Sequence, residues 1–467
     1  MEGKRENWGS RIGFIMAAAG SAVGLGNIWR FPYLTGQNGG GAFIIIYLVF
    51  AVVIGISIMT TEFAVGRRTN LAAVGAYKST SRRWTFVGVI GVLTAFLIMG
   101  FYPVVGGWSL AYILKSFTGL LSSGDMNGVF GAFITGSFTP LMWTYLFLAL
   151  NVFIVAKGIA GGIEKAGKIL MPTLFVLLVL ISIKSISLPG ASAGLEFLFK
   201  PDWSKVNGGT ILAALGQAFF SLSLGMGCMI TYGSYIGKQE NLQKNAAIIT
   251  FMDVTIALLA GVAIFPGLFA FGIEPTSGPG LVFVVVPSIF AEMGGIGTVF
   301  SAIFFIALAV AALTSSVSLL EVVVAYLIDE RKMDRKPAVF LAAGVMVITC
   351  TMASLSLGVV TGLSLFGVPA FDIFDILTDK IFMAIGGMLL AIFAGWRLKK
   401  EDLRDELTNG GTVKFGLFET WYALIKYIIP VAILIVAVFG IISIEQKGII
   451  VLGFVIMGLL ALFSKKL

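Results

Sequence analysis

Twelve stretches of this chain are apolar for long enough to cross a lipid bilayer, and that property leaves few folds open. A hydrocarbon core about 30 Å thick takes about 20 helical residues. Apolar runs of that order fall at residues 12–35, 42–66, 86–114, 140–156, 166–187, 208–236, 243–272, 286–327, 338–360, 370–396, 420–443 and 448–464. The eighth exceeds one crossing and is expected to begin with a re-entrant or interfacial piece near Val286. In lipid every backbone polar group must be bonded internally, which continuous runs of this length achieve only as helices. The reading is an all-α membrane protein with twelve transmembrane helices.

Composition agrees. Of 467 residues, 58% are hydrophobic and 12% charged, against about 25% charged in soluble proteins. Histidine is absent, which excludes a histidine metal site, a Ser-His triad and a His proton relay. Cys228 and Cys350 sit in separate apolar stretches, so no disulfide framework or thiolate cluster is expected. No paired catalytic carboxylates stand out, and the chain is not read as an enzyme.

The net charge of +8 is a topology signal. With the N-terminus placed in the cytoplasm, 24 of the 32 Lys and Arg residues fall on inner segments and five on outer ones, as positive-inside bias requires. Arg30, Lys380 and Lys426 lie within or at the ends of spans. Exposed aromatics do not interleave these charges, so no nucleic-acid partner is expected. The first apolar run is too long for a cleaved signal peptide and contains Arg30. The connections near 115–140, 187–207 and 397–419 are too short for a soluble domain, and the first of them reads as an outer loop.

Two glycine-rich breaks stand out. The first span carries Gly20, Gly24 and Gly26 followed by Asn27, and the sixth carries Gly225 and Gly227 after Ser221 and Ser223. Each glycine costs a helix interior about 1 kcal/mol. Gly20 and Gly24 alone would suit a small-residue packing face, but two matching breaks are harder to explain that way. Five spans separate them, and five is odd, so the two halves would run in opposite directions across the membrane. Paired interrupted helices in inverted halves point to a transporter binding site. The expected organisation is a cytoplasmic N-terminus at 1–11, a first inverted repeat at 12–187, a second at 208–396, and two further helices with a short cytoplasmic tail at 420–467.

Three further features carry chemistry. Asp253 lies about ten residues into the seventh span, where a charge costs at least about 2.5–3.5 kcal/mol; a bound cation would offset it. Thr314 and Ser315 place neighbouring hydroxyls in the eighth span, where such a pair taken alone back-bonds to carbonyls one turn earlier. Glu62, a turn before the inner end of the second span, is placed to accept hydrogen bonds from the unwound part of the sixth.

The stretch Ala19 to Pro32, the run Asn38-Gly39-Gly40-Gly41-Ala42-Phe43 and the stretch Gly216 to Ser223 resemble the neurotransmitter:sodium symporter family, in particular its bacterial amino-acid branch. The resemblance extends from about residue 5 to 443. It implies a 5+5 inverted-repeat core with broken helices 1 and 6, plus two C-terminal helices. It also implies import of neutral, mainly hydrophobic L-amino acids coupled to two sodium ions by alternating access, in the inner (plasma) membrane with both termini cytoplasmic.

The resemblance assigns residues too. One sodium would be held by the Ala22 carbonyl, Asn27, Ser221 and Asp253; the second by the Gly20, Val23 and Ala311 carbonyls with Thr314 and Ser315. Substrate would meet Ser21, Ala22, Gly24, Leu25, Gly26, Ile98, Tyr102, Phe220, Ser221, Ser223, Met226, Ser315 and Leu319. Monoamine-carrying members have Asp where this chain has Gly24, so a substrate bearing its own carboxylate is expected. Family members commonly have Asn where this chain has Asp253; a fixed carboxylate there implies that chloride is not required. An outer gate of Arg30, Gln217, Phe220 and Asp375 is implied, with Asp372 and Asp379 as alternative acidic partners. An inner gate would comprise Arg5, Trp8, Tyr235 and Asp329. Gly162 and Pro172 resemble a pair that lets the start of the fifth helix unwind. An ion channel and a sensor that binds without transporting remain alternatives of the same architecture, and monomer and dimer are both open.

Overall fold

The computed structural model describes residues 6–273 and 279–464, and within them the chain is helical almost throughout. The two short strands, Ser364–Leu365 and Val368–Pro369, form one small antiparallel hairpin. All twelve apolar runs are membrane-length or shorter apolar helices. The first span is Arg11–Ala22 followed by Gly26–Gln37, bent by 50° at the break. The second to fifth are Gly41–Thr69, Arg82–Phe117, Thr139–Val155 and Ile159–Ile186. The sixth is split into Gly208–Ser221 and Cys228–Gly233. Leu242–Ala270, Gly295–Arg331, Arg335–Leu355, Ala370–Arg397, Phe418–Ile442 and Lys447–Phe463 complete the set.

The ends of these helices follow from local chemistry. Ser10 caps the first span by accepting from the Gly13 amide. Asn207 and Thr210 form a reciprocal capping box at the start of the sixth. The second and eighth spans stop where Asn70 and Lys332 take left-handed backbone, φ 52° and 55°. Before the eighth span, Leu281–Glu292 forms a separate apolar helix that turns at Gly294 (φ 67°); Val286 lies inside it.

The connections hold more structure than expected. The stretch 115–140, read as a loop, contains the helix Met126–Ile134, which meets the fourth span at 74°. Asp125 supplies its cap by accepting from the Gly128 amide. Helices Ala191–Phe199 and Lys400–Thr408 likewise occupy the other two long connections.

Candidate functional site

The site is built where both breaks leave backbone groups without helical partners. Val23 ends the first half-helix in extended backbone, ψ 111°. The Gly24 amide then donates to the Asn27 side-chain oxygen at 3.0 Å, and the Leu25 amide to the Tyr102 hydroxyl at 3.0 Å. In a continuous helix these amides would have gone to the carbonyls of Gly20 and Ser21. The Ser21 carbonyl instead accepts hydroxyls from Ser223 at 2.8 Å and Ser315 at 3.1 Å, joining the first, sixth and eighth spans at one oxygen. The Asn27 amide donates to Gly24 rather than to Val23, so the Val23 carbonyl also loses its helical donor.

The sixth span is non-helical from Leu222 to Gly227. Gly225 and Gly227 take φ of 77° and 79°, and Ser223 takes 53°, a conformation that costs a residue with a Cβ. Glu62 holds the break open: its Oε1 accepts from the Gly225 amide at 2.7 Å.

Asp253 is fully buried, and its carboxylate gathers three donors. The Asn27 amide group reaches Oδ1 at 2.7 Å; the Ser221 and Tyr47 hydroxyls reach Oδ2 at 2.7 and 3.2 Å. Asn27 also donates to Ser221 at 3.1 Å. The residues expected at the first cation site thus converge, with Ala22 on the adjoining cavity wall. Tyr47, on the second span, escaped the sequence reading; its one signal was a single hydroxyl among the otherwise apolar residues 42–56.

Beside this cluster lies a small cavity of about 20 Å³ lined by Ala22, Gly24, Gly26, Ile98, Tyr102, Phe220, Ser223, Met226, Ser315 and Leu319. Every one of these belongs to the expected substrate set. Ser21, Leu25 and Ser221 lie behind the lining, engaged with Ser318, Tyr102 and Asp253. No charged side chain lines the cavity. A Cβ on Gly24 would fall 2.6 Å from the Tyr102 hydroxyl, and one on Gly26 would fall 2.9 Å from the Phe220 ring. A single water needs about 10–15 Å³, so the walls must part before an amino acid enters.

The second expected cation set is only partly assembled. Gly20 packs against Thr314, where an added Cβ would be 3.0 Å from the Thr314 Cβ. The Thr314 hydroxyl back-bonds to Val310 at 3.1 Å and Ala311 at 3.0 Å. Ser315 instead donates its hydroxyl to the Ser21 carbonyl, which the break has freed from its helical donor.

Both ends of the cavity are closed. Above it, Arg30 lies 4.6 Å over the Phe220 ring and forms a two-pronged pair with Asp379, at 2.6 and 3.2 Å. This corrects the expectation of Asp375. The stacking on Phe220 holds the guanidinium at the cavity roof, level with the deeper of two acids a turn apart. The tenth span is also widened across Leu377–Phe382. Asp372 is exposed and stands away from the pair. Gln217, expected at the outer gate, donates to the Gly26 carbonyl at 2.9 Å, pinning the broken segment.

Below the cavity, Trp8 donates its indole N–H to the Tyr232 carbonyl at 3.1 Å and its amide to Tyr235 at 3.3 Å. The Tyr235 hydroxyl donates to Glu321 at 2.7 Å; Arg335 joins Glu321 to Glu6, each at 2.7 Å. Asp329 accepts from the Ala72 amide at 2.7 Å. Arg5, its expected partner, lies outside the described residues, as do Lys4, Lys465 and Lys466. The Glu6–Arg335–Glu321 chain was not foreseen.

The start of the fifth span is widened over Ile159–Glu164 and contains Gly162; Pro172 lies two turns further on, inside the regular helix. Between them Glu164, nearly buried, accepts from the Gly9 amide at 2.7 Å, the Ser10 hydroxyl at 2.8 Å and Lys168 at 2.6 Å. The Ile159 amide donates to Glu6 at 2.7 Å. The segment preceding the first span is therefore clasped by the expected hinge.

Two helices broken at mid-span, a buried carboxylate cluster and closed gates on either side define a membrane transporter. The sequence matches the Sodium:neurotransmitter symporter family over residues 5–130 and 135–454, and the chain belongs to that family. It is 40% identical over 440 residues to an uncharacterised sodium-dependent transporter, YhdH, of Bacillus subtilis, spanning 93% of this chain and 97% of the relative. It is 28% identical over 498 residues to the sodium-dependent serotonin transporter of Drosophila melanogaster, spanning 95% and 78%. The crystal structure of MhsT in complex with L-phenylalanine superposes with a TM-score of 0.84 at 44% identity, covering 93% of this chain and 99% of MhsT. The fold is accordingly the twelve-helix architecture with a 5+5 inverted core. The protein is a sodium-dependent membrane transporter, not an enzyme.

Proposed function

We propose that this transporter imports neutral, mainly hydrophobic L-amino acids together with two sodium ions, and does not require chloride. The observation that carries the reading is the uncharged cavity abutting the Asp253–Asn27–Ser221 cluster between the two breaks. A substrate carboxylate would lie against the freed N–H groups and the Tyr102 hydroxyl, and share the first sodium with Ala22, Asn27, Ser221 and Asp253. Met226, Ile98 and Leu319 would take the side chain; Met adapts to several shapes. Lys, Arg, Asp or Glu would be buried without a partner, at high cost. The second sodium would use the Gly20, Val23 and Ala311 carbonyls with the Thr314 and Ser315 hydroxyls, which requires Ser315 to release Ser21. The complex of MhsT with L-phenylalanine supports an amino-acid substrate.

Transport by alternating access needs the Arg30–Asp379 gate to open for loading and the Trp8 end, with Asp329 and Tyr235, for release. Unwinding between Gly162 and Pro172 would free the first half-helix. The repeats are taken as 12–187 and 208–396, and the excess of Lys and Arg on the inner loops supports a reading with both termini on the cytoplasmic side of the inner membrane. Two cations each gain about 2.3 kcal/mol per 100 mV, and each tenfold gradient adds about 1.4 kcal/mol per ion, enough to concentrate substrate.

Scintillation-proximity binding across the twenty amino acids, with and without sodium, tests the reading. Sodium-dependent binding of apolar amino acids is expected, with uptake against a gradient in proteoliposomes. Sodium-independent binding would overturn the coupling. Binding without uptake would leave a sensor, and a unitary current would indicate a channel.

A further inference from the structure

We infer that the groove between the fourth and ninth spans is a binding site for an anionic phospholipid, with one acyl chain along the groove and the phosphate on Lys157 and Lys336. The groove encloses about 490 Å³ on the membrane-facing side and is walled almost wholly by apolar side chains. Tyr145, Ala149, Val152 and Ala156 line it at helical spacing from the fourth span, and Phe340, Ala343 and Val347 from the ninth. Each row, Tyr145 to Ala156 and Lys336 to Val347, is about 16 Å long at about 1.5 Å per residue. That matches the depth of one leaflet, about half of a 30 Å hydrocarbon core.

The two ends differ. At one end Tyr145 and Thr351 join their hydroxyls across the helices at 2.7 Å, closing the groove near mid-membrane. At the other end, where the fourth span finishes and the ninth begins, Lys157 and Lys336 both line the groove and both are exposed. The Lys157 ammonium rests 3.6 Å over the Phe153 ring, which holds it at the groove rather than free in solvent. The neighbouring Arg335, by contrast, is taken up by Glu321 and Glu6. A leaflet-deep apolar trough ending in two cations fits a lipid of net negative headgroup; basic pockets between membrane helices bind such headgroups. A zwitterionic lipid would fill the trough equally but leave the two ammonium groups unneutralised.

Native mass spectrometry of the delipidated full-length protein tests this with phosphatidylglycerol and phosphatidylcholine of identical chains. Wild type should retain phosphatidylglycerol about tenfold more strongly at low salt. The double substitution Lys157→Gln and Lys336→Gln should bring it down to the level of phosphatidylcholine. Ala343→Trp, which fills the trough and leaves the lysines, should weaken both lipids. Thermal melting of each variant checks that it is folded. Equal retention of the two lipids by wild type, or a preference that survives the double substitution, would overturn the assignment. So would an effect of Ala343→Trp on oligomeric state alone, which would make the groove a contact between copies.

Discussion

Arg30 reaches Asp379 with two nitrogens, 2.6 and 3.2 Å from the two carboxylate oxygens, while its guanidinium rests on the Phe220 ring. Ring, cation and acid form one stacked closure over the cavity. Asp379→Asn keeps the shape and removes the charge. For a pair this covered the loss should be about 1–2 kcal/mol, between the surface and buried limits. The substrate concentration for half-maximal uptake should then rise about tenfold, with Asp375→Asn changing it less than about threefold. Uptake kinetics of the two variants side by side decide between the acids.

Tyr47 and Asp253 make the second prediction. Tyr47→Phe removes one donor to a buried carboxylate, a loss of about 1 kcal/mol, so sodium for half-maximal binding should rise about fivefold with substrate selectivity unchanged. Unaltered sodium dependence would show that Tyr47 only fills space.

Asp253 is also expected to make chloride unnecessary. Wild-type uptake should be the same in chloride and gluconate. Asp253→Asn, which deletes the built-in charge, should weaken sodium dependence and introduce a requirement for chloride. A strong fall in wild-type uptake in gluconate would contradict the charge argument.

Gly24 is the steric test. A Cβ there lies 2.6 Å from the Tyr102 hydroxyl and 2.9 Å from the Ser315 Cβ. Gly24→Ala should lower amino-acid affinity about fivefold or more, since misfit in a closed pocket costs about 1–3 kcal/mol. Binding isotherms that overlay those of wild type would mean that the break shifts freely.

Glu164 gives the fifth prediction. Its carboxylate holds Gly9, Ser10 and Lys168 together, and Glu164→Gln loses the charge-assisted part of that clasp. Hydrogen exchange should accelerate about tenfold or more over residues 6–22 and 159–172, for a loss of about 1.5–3 kcal/mol, and remain unchanged around Arg30. Exchange confined to its wild-type rate at both places would remove Glu164 from the hinge.

Much of this was legible in sequence because the informative residues violate local rules. Gly24 and Gly26, and Gly225 and Gly227, weaken helices that apolar composition otherwise favours, and the structure breaks there. Asp253 announces itself as a charge in an apolar run. Tyr47 does not, since a tyrosine in a membrane span reads as ordinary packing until its hydroxyl is seen on a carboxylate. Asp375 and Asp379 share a helix face one turn apart, so spacing could not separate them; the height of Phe220 did. Glu164 and Glu321 resemble charges near helix ends, and only the folded chain shows what each one holds. The helix at Met126–Ile134 hid in a stretch whose glycines and hydroxyls suggested loop.

The Ser21 carbonyl accepts hydroxyls from two other spans, so the first half-helix cannot tilt without breaking bonds at that single atom. An isotope label on that one peptide, carbon-13 with oxygen-18, would set its infrared stretch apart from the rest of the backbone. Its frequency would then serve as a local clock for the transport cycle, rising whenever both serines let go.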